Sequence, residues 1–235
     1  MKRFLVVVIF AILSCTSFAQ SNHRLGFVFG PNHFSLRGSD FLDEAKSDYG
    51  YFFGFSYEYK FNKNLSLVTG ITIEQKRINY NTQFDYDFFN EQGEIVTHDY
   101  SVETKNKYQY FSLPLLLKYN FGKDKSFFVN GGLFIATSGK HKKSTKTTNE
   151  TLGYSYTPTT GNYNFPFADD IEGFDYGVSL GIGKSFKLNS KTNVSVELRD
   201  NFGLVNIIQD FDESELKSTM KTNTLILMIQ LSYDL

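Results

Sequence analysis

Side chains alternate between large apolar and polar or small types, with a period of two, along most of this 235-residue chain. Aromatic residues occupy every second position from Tyr51 to Phe61, and large apolar residues occupy every second position from Leu225 to Leu235. Successive side chains of a β-strand point to opposite faces, so this pattern predicts strands with one buried face. Such runs lie at about residues 24–30, 51–61, 65–80, 108–121, 127–138, 174–187, 192–205 and 225–235.

The composition favours a single all-β domain. Phe and Tyr favour strands, and aromatic residues make up 17% of the chain. No helical pattern with capping residues competes with the strands, and no linker marks a second domain, so residues 20–235 are predicted to form one barrel domain. The net charge of −1 includes no basic stripe, and no nucleic-acid partner is expected.

The connections between the predicted strands alternate strictly in length. Short connections rich in turn residues lie at 62–64, 122–126 and 189–191, and long polar ones lie at about 31–49, 81–107, 139–172 and 206–221. An even number of strands, with short turns at one end and long loops at the other, is typical of barrels that cross a membrane. The predicted fold is therefore an eight-stranded antiparallel up-and-down transmembrane β-barrel.

The residue types on the two faces favour a membrane barrel over a soluble ligand-binding barrel. One face is almost entirely apolar, whereas the other mixes small residues with charged ones. A soluble barrel hides its apolar face inside, and a barrel in lipid turns that face outward. Aromatic residues also crowd the strand ends beside the short turns, as in an interfacial girdle: Tyr57, Tyr59, Phe61, Tyr119, Phe121, Phe186 and Tyr233.

The first 19 residues have the pattern of a secretory signal peptide. Two basic residues precede an apolar run from Phe4 to Leu13, and Ser17-Phe18-Ala19 is a small-x-small cleavage site, so cleavage after Ala19 is expected. Lipidation of Cys15 is the alternative, although the order Leu13-Ser14 fits a lipoprotein signal poorly.

Cleavage after Ala19 would change both the charge and the thiol content of the chain. Without Lys2 and Arg3, the 24 basic residues fall to 22 against 25 acidic residues, which gives a net charge of −3. Cys15, the single cysteine, would also be lost. Disulfides, a thiol nucleophile and a cysteine-based zinc site are therefore not expected.

Charged residues recur on the face assigned to the barrel interior: Glu58, Lys60, Glu74, Lys76, Lys118, Glu197 and Arg199. Three pairs of opposite sign are two residues apart, at 58/60, 74/76 and 197/199. A buried charge needs a partner, so we predict a charge network within the lumen. Two interpretations stay open: a network that closes the barrel as a plug, and ordinary filling of the lumen.

Asp200 tests the register of its strand. Strict alternation places Asp200 on the lipid face, between Leu198 and Phe202. A charged side chain facing hydrocarbon is costly. We therefore predict either a local bulge near Asp200 or a position above the apolar band.

Several segments share one residue pattern: Gly50–Phe61 with Leu65–Arg77, Phe111–Pro114 with Lys118-Tyr119, Phe174–Gly183, and Leu198-Arg199 with Gly203-Leu204. In these segments the chain resembles the PorT-like outer-membrane β-barrel proteins, which are close in architecture to small OmpA- and OmpX-type barrels. The resemblance implies a location in the outer membrane of a Gram-negative bacterium. It also implies an unassigned role, with a few relatives that serve protein secretion.

Candidate catalytic residues are few. The four histidines, His23, His33, His98 and His141, are scattered, and no spacing places two of them on one face as metal ligands. His33 with Ser35, or His141 with Ser144, would imitate an enzyme at the barrel rim, and an ordinary loop role is the other interpretation. We predict no enzymatic activity, no cofactor and no metal.

The predicted loops separate charge by sign. The third is basic, with Lys140, His141, Lys142, Lys143 and Lys146, and the fourth is acidic, with Asp210, Asp212, Glu213 and Glu215. Three interpretations stay open: the two loops pair, the basic loop binds anionic lipopolysaccharide, or the acidic cluster binds calcium. The acidic cluster lacks the glycine-centred loop of calcium motifs.

The predicted function is a non-enzymatic outer-membrane barrel that presents four long extracellular loops in a structural or ligand-binding role. The expected partners are outer-membrane lipid, including lipopolysaccharide, and envelope proteins. One alternative function is a component of a protein-secretion or envelope-assembly complex. Another is a rim enzyme that modifies lipid.

Overall fold

The strands hydrogen-bond into an antiparallel ring. A computed structural model describes residues 22–38, 45–156, 174–207 and 219–235. The predicted signal peptide, Cys15 and the acidic residues of the fourth loop lie outside these ranges. The strands are β1 (His23–Gly38), β2 (Ala45–Lys60), β3 (Leu65–Phe89), β4 (Ile95–Phe121), β5 (Phe127–Asn149), β6 (Tyr154–Tyr156), β7 (Phe174–Lys187), β8 (Thr192–Gly203) and β9 (Met220–Asp234).

The ring closes through eight of these strands. The order is β4-β3-β2-β1-β9-β8-β7-β5-β6, and an additional pairing of β4 with β5 joins the two ends. Among the described strands, the short strand β6 pairs only with Thr147–Asn149 of β5 and stays outside the ring. All eight predicted strands are present, but the predicted count is wrong by one, because β6 lies where a loop was expected.

The strands are staggered around the ring. From Leu25 the paired residues run through Tyr57, Thr69, Leu115, Leu133, Val178, Phe202 and Asn223, and return to β1 at Ser35. The path therefore climbs ten residues along β1 in one circuit. A stagger of this size tilts the strands by roughly 40° from the barrel axis.

The outward faces form an apolar band. On β4 every second residue from Phe111 to Phe121 is large, apolar and exposed, whereas Tyr110, Ser112, Leu116 and Lys118 are buried. With the strand tilt, this stretch gives a band about 25 Å tall, the height of the apolar belt in outer-membrane barrels. In the described part of the chain, no helix is long and apolar enough to cross a membrane.

Side chains of asparagine close two of the short turns. Asn62 Oδ1 accepts hydrogen bonds from the backbone N–H groups of Asn64 and Leu65, at 2.8 and 2.9 Å. Asn189 Oδ1 accepts in the same way from Lys191 and Thr192, at 2.9 and 2.7 Å. These local bonds hold adjacent strands in register at one end of the ring.

Parts of three predicted long connections are strand. In the connection predicted at 31–49, residues 31–38 belong to β1 and residues 45–49 to β2. β3 continues to Phe89, β4 begins at Ile95, and their pairing runs unbroken from Thr72↔Ser112 to Phe89↔Ile95. β5 continues to Asn149, so its basic residues lie on a strand. The loop predictions for 31–49, 81–107 and 139–172 are wrong over these stretches, and residues 157–172 lie outside the described ranges. From Asn81 to Phe89 both faces of β3 are exposed, so the alternation that marks a half-buried strand fades there.

No bulge lies at Asp200. β8 pairs without a register shift with both neighbours, and Asp200 stands opposite Leu180 on β7 and Leu225 on β9. Leu198 and Phe202, the outward residues on either side of Asp200, are both apolar and exposed. Phe202 is the one nearer the rim with the long connections, so Asp200 lies within the band. Both forms of the Asp200 prediction are therefore wrong.

The carboxylate of Asp200 has a cationic neighbour, Arg37, which reaches it from the rim. The Arg37 guanidinium lies 3.3 Å from the ring centroid of Phe202 and donates to the carbonyl of Gly203. Its charge attracts that of Asp200. This attraction offsets part of the cost of placing a carboxylate among apolar side chains.

Candidate functional site

The interior end beside the short turns is filled by a connected group of five charged side chains. Glu58 Oε2 accepts hydrogen bonds from Arg24 at 3.1 Å and Lys118 at 3.2 Å. Asp234 Oδ1 accepts from Arg24 at 2.6 Å and Lys60 at 2.7 Å. The structure thus links Lys118, Glu58, Arg24, Asp234 and Lys60. We call this group the lower network.

The lower network differs from the i, i+2 pairing suggested by sequence spacing. Lys60 bonds to Asp234, while Glu58 bonds to Arg24 and Lys118. Arg24 and Asp234 were not among the predicted residues, although each lies on the inward parity of a terminal strand. Spacing within one strand cannot show which residue of a neighbouring strand stands opposite.

The other two predicted pairs form within their own strands. Arg199 Nε donates to Glu197 Oε1 at 2.6 Å, and both residues are buried. Lys76 Nζ lies 3.7 Å from Glu74 Oε2 and 4.4 Å from the ring centroid of Tyr110, so its charge contacts both a carboxylate and an aromatic face.

Apolar residues fill the interior end beside the long connections. Phe34, Ile78, Tyr108, Tyr110, Phe134 and Ala136 form one buried cluster. Burial raises the pKa of Tyr108 above its ordinary value near 10, and it also raises the pKa of Tyr80, which packs against the cluster. Between this cluster and the lower network lies a cavity of about 20 Å³ lined in part by Lys118, Glu197 and Arg199. That volume suits one water molecule.

Small residues make room for the large interior side chains. A β-carbon at Gly183 would collide with the ring of Phe128, and one at Gly181 would collide with Asn130 and Glu197. The Phe128 ring lies 4.4 Å from Lys118 Nζ, so the aromatic packing extends to the lower network. The described interior is therefore tightly filled along its length.

One buried carboxylate was missed by the sequence analysis. Asp175 is fully buried near the start of β7 and accepts a hydrogen bond from the hydroxyl of Thr222 at 2.6 Å, while its Oδ1 has no hydrogen-bond partner. Its inward position on β7 is the signal that could have identified it. It stands apart from the predicted interior pairs.

The histidine and serine candidates lie on two strands, and His33 shares a face of β1 with Ser35. The His33 ring packs 5.0 Å from the ring of Tyr49, and His141 stacks on Tyr108 at 4.4 Å. Ser144 is an odd number of residues from His141 and therefore lies on the opposite face of β5. No group of three or more His, Cys, Asp or Glu among the described residues could hold a metal ion.

β3, β4 and β5 continue beyond the apolar band as a sheet, which we call the upper sheet. One face carries an aromatic stripe: Phe84 stacks on Tyr100 at 5.6 Å, and Tyr86 and Phe88 are 4.7 Å apart. The turn at its tip is closed by Asn90 Oδ1, which accepts from the N–H groups of Gln92 and Glu94, at 3.0 and 2.8 Å. Gly93 follows with φ of 80°. The Asn-x-x-Gly spacing is the sequence signal that could have revealed this hairpin.

A closed antiparallel ring with an apolar outer band and a charged interior defines a transmembrane β-barrel. The family model described as "Outer membrane protein beta-barrel domain" matches residues 18–209, and the chain belongs to this family. Its location is accordingly the outer membrane. No curated protein matches this chain.

Solved structures similar to this chain include several small outer-membrane proteins. Neisserial surface protein A is 11% identical, with a TM-score of 0.42, over 92% of this chain and 98% of that chain. Ail of Yersinia pestis, in complex with a heparin analogue, is 12% identical with a TM-score of 0.40, over 90% and 99% of the two chains. The outer membrane protease OmpT of Escherichia coli is 12% identical with a TM-score of 0.37, over 93% and 98%.

Proposed function

We propose that this protein is a non-enzymatic outer-membrane anchor that displays the upper sheet for binding an extended polypeptide. The observation that carries the proposal is the outer edge of β3 from Gln83 to Phe89. Pairing with β2 ends at Ala45↔Tyr80, and residues 83–89 pair only with β4 among the described strands. An edge of this kind offers backbone N–H and C=O groups to an added strand.

The two faces of this edge define the chemistry of the partner. Phe84, Tyr86 and Phe88 are exposed on one face, and Asp85 and Asp87 lie on the other. A strand added beside β3 would place alternate side chains over each face. The matching segment therefore alternates apolar residues, over the aromatic stripe, with basic residues near the carboxylates.

The filled interior supports an anchor in preference to a pore. The lower network occupies one end of the lumen and the aromatic cluster around Tyr110 occupies the other. Both would have to rearrange before solutes could pass. The surface exposed for recognition lies instead on the upper sheet. This sheet is at the end of the barrel with the long connections, and in this class of barrel that end faces the cell exterior.

The resemblance to PorT-like proteins stays a proposal based on residue patterns. It keeps open a role within a secretion or envelope-assembly complex. In that role the extended segment bound by β3 would belong to an envelope protein.

Peptide binding to the purified full chain in detergent micelles tests the proposal. The probe is a short peptide that alternates valine and lysine, and the matched control peptide alternates valine and glutamate. The test variant replaces residues 84–100 with Asn-Gly, which removes the hairpin tip and leaves the strands that cross the band. We expect the valine–lysine peptide to bind the unmodified protein at least about tenfold more tightly than the control peptide or the shortened variant.

Two results would contradict the proposed function. One is failure of the valine–lysine peptide to bind at all. The other is equal binding to the shortened variant, provided that this variant still shows the heat-sensitive gel mobility of a folded barrel.

A further inference from the structure

The outward face of the upper sheet carries three cations side by side at its base. Arg77 of β3 pairs directly with Lys107 of β4, and Lys107 pairs directly with Lys142 of β5. A register shift between Tyr108 and Tyr110 inserts an extra residue in β5, and this shift turns Lys142 to the same face as Lys107. We call these three residues the cation row.

None of the three cations of the row takes part in an ion pair in the part of the chain that the structure describes. Glu103, on the same face, pairs instead with Lys105. Like charges directly opposite one another destabilise a sheet. Three adjacent cations that a fold retains at such a cost favour an anionic ligand as the missing partner.

Arg77 is held in a fixed orientation. Its Nε and Nη2 donate to Gln75 Oε1 at 3.0 and 2.7 Å, on the same face and two residues nearer the apolar band. A guanidinium anchored in this way keeps its remaining N–H donor groups for a ligand. The fork geometry of arginine suits phosphate oxygens.

The height of the cation row matches the polar border of the membrane. Ile73 paired with Phe111 forms the upper edge of the apolar band, Gln75 paired with Gln109 follows, and Arg77 paired with Lys107 comes next. Four residues along a strand tilted by roughly 40° rise about 10 Å. The lipid headgroup layer extends roughly 5–8 Å beyond the hydrocarbon. The Arg77 guanidinium, which bonds to Gln75 two residues nearer the band, is therefore within reach of the lipid phosphates.

A polar groove lies directly above the cation row on the same face. Its cavity of about 310 Å³ is lined by Asn79, Asn81, Ser101, Glu103, Lys146 and Thr148, among others. A volume of this order is typical of small-ligand sites. Amide, hydroxyl and carboxylate groups arranged around it are suited to the hydroxyl groups of a sugar.

We propose that this face binds a phosphorylated glycolipid of the outer leaflet, with phosphate at the cation row and sugar in the groove. The acyl chains of such a lipid would lie along the apolar band beneath Phe111. The site is on the opposite face of the sheet from the aromatic stripe and uses none of the residues assigned to peptide binding.

The test measures binding of purified rough-type lipopolysaccharide to the full chain in detergent micelles, by native mass spectrometry and by the shift in melting temperature. The comparison ligands are the same lipid after enzymatic dephosphorylation, and inorganic phosphate. The test variant is Arg77→Gln/Lys107→Gln/Lys142→Gln. The matched control, Lys63→Gln/Lys123→Gln/Lys187→Gln, removes three exposed lysines at the rim with the short turns.

We expect the phosphorylated lipid to bind the unmodified protein and the control equally, and to bind the test variant at least about tenfold more weakly. The dephosphorylated lipid should bind the unmodified protein more weakly than the phosphorylated lipid does, by the same factor. Inorganic phosphate should not shift the melting temperature. Equal affinity of the test variant, equal binding of dephosphorylated lipid, or a full shift with inorganic phosphate would each overturn the proposal. If the triple variant fails to fold, the exposed single change Lys107→Gln, with an expected loss of about threefold, decides the question by the same comparison.

Discussion

At the scale of single residues, the interior depends on how each buried charge is compensated. Glu58 is only 2% exposed and lies between two cations. Removing one partner from a buried ion pair leaves an uncompensated charge, which costs more than the pair itself contributes. Glu58 therefore matters because Lys118 has no other carboxylate partner in the described structure, whereas Arg24 also bonds to Asp234.

The first prediction concerns Glu58→Gln. It should lower the free energy of unfolding by about 3–5 kcal/mol, because it leaves the positive charges of Arg24 and Lys118 without their shared carboxylate. The matched control is Glu103→Gln, which removes a carboxylate from an exposed pair with Lys105 and should cost less than about 1 kcal/mol. Urea unfolding in lipid vesicles measures both. Equal costs for the two variants would show that the lower network does not stabilise the barrel.

The second prediction concerns Asp200, the outward carboxylate within the apolar band. Asp200→Asn should raise the free energy of unfolding by up to about 1 kcal/mol, because it removes a charge that faces hydrocarbon. In an Arg37→Gln background the gain should be larger, since the carboxylate has then lost its cationic neighbour. The same urea measurement applies. A loss of stability from Asp200→Asn in both backgrounds would assign Asp200 a structural role of its own.

At the scale of elements, β3 and β4 each combine two environments in one strand. Below Phe111 their outward residues are mostly apolar, whereas from Asn81 to Phe89 both faces of β3 are exposed. Period-two patterning identified the lower parts because one face there is buried and the other is not. The upper parts are held by main-chain pairing and cross-strand contacts, such as Phe84 with Tyr100, which leave a much weaker trace in the sequence.

The third prediction concerns the outer face of this hairpin. Asp85 stands directly opposite Asp99, and like charges in that position repel. Asp99→Asn should therefore stabilise the hairpin locally by about 0.2–1 kcal/mol. Hydrogen exchange of residues 81–99 measures the effect as slower exchange, with Asp124→Asn in a short turn as the control. Unchanged or faster exchange in Asp99→Asn would show that this repulsion is relieved in another way.

At the scale of the whole molecule, two features were predictable from the sequence: the ring of strands, and which residues point into the ring and which point outward. Alternation placed Glu58, Lys118 and Arg199 inside, and their burial agrees with that placement. The bonds of Lys60 to Asp234 and of Arg24 to Glu58 were not predictable, since they depend on the register between strands. The same limit applies to the cation row, which requires the extra residue in β5 to bring Lys142 into line with Lys107.

The fourth prediction concerns conduction. The barrel should show no stable single-channel conductance in planar bilayers, because the lower network and the aromatic cluster fill the two ends of its lumen. Recordings from protein with heat-sensitive gel mobility, compared with protein-free detergent, measure this directly. Reproducible openings from the folded monomer would show that the interior opens and that the anchor role is incomplete.

The central claim is that the upper sheet stands on the cell exterior, above a barrel that crosses the outer membrane. The chain has a single cysteine, Cys15, so new cysteines can be introduced at Gln83 in the upper sheet and at Asp124 in a short turn. Each variant is treated with a membrane-impermeant maleimide on intact cells and again after permeabilisation, with the unmodified chain as the background. We expect Gln83→Cys to be labelled on intact cells and Asp124→Cys to be labelled only after permeabilisation. Labelling in the reverse order, or labelling of neither variant until the cells are opened, would contradict it.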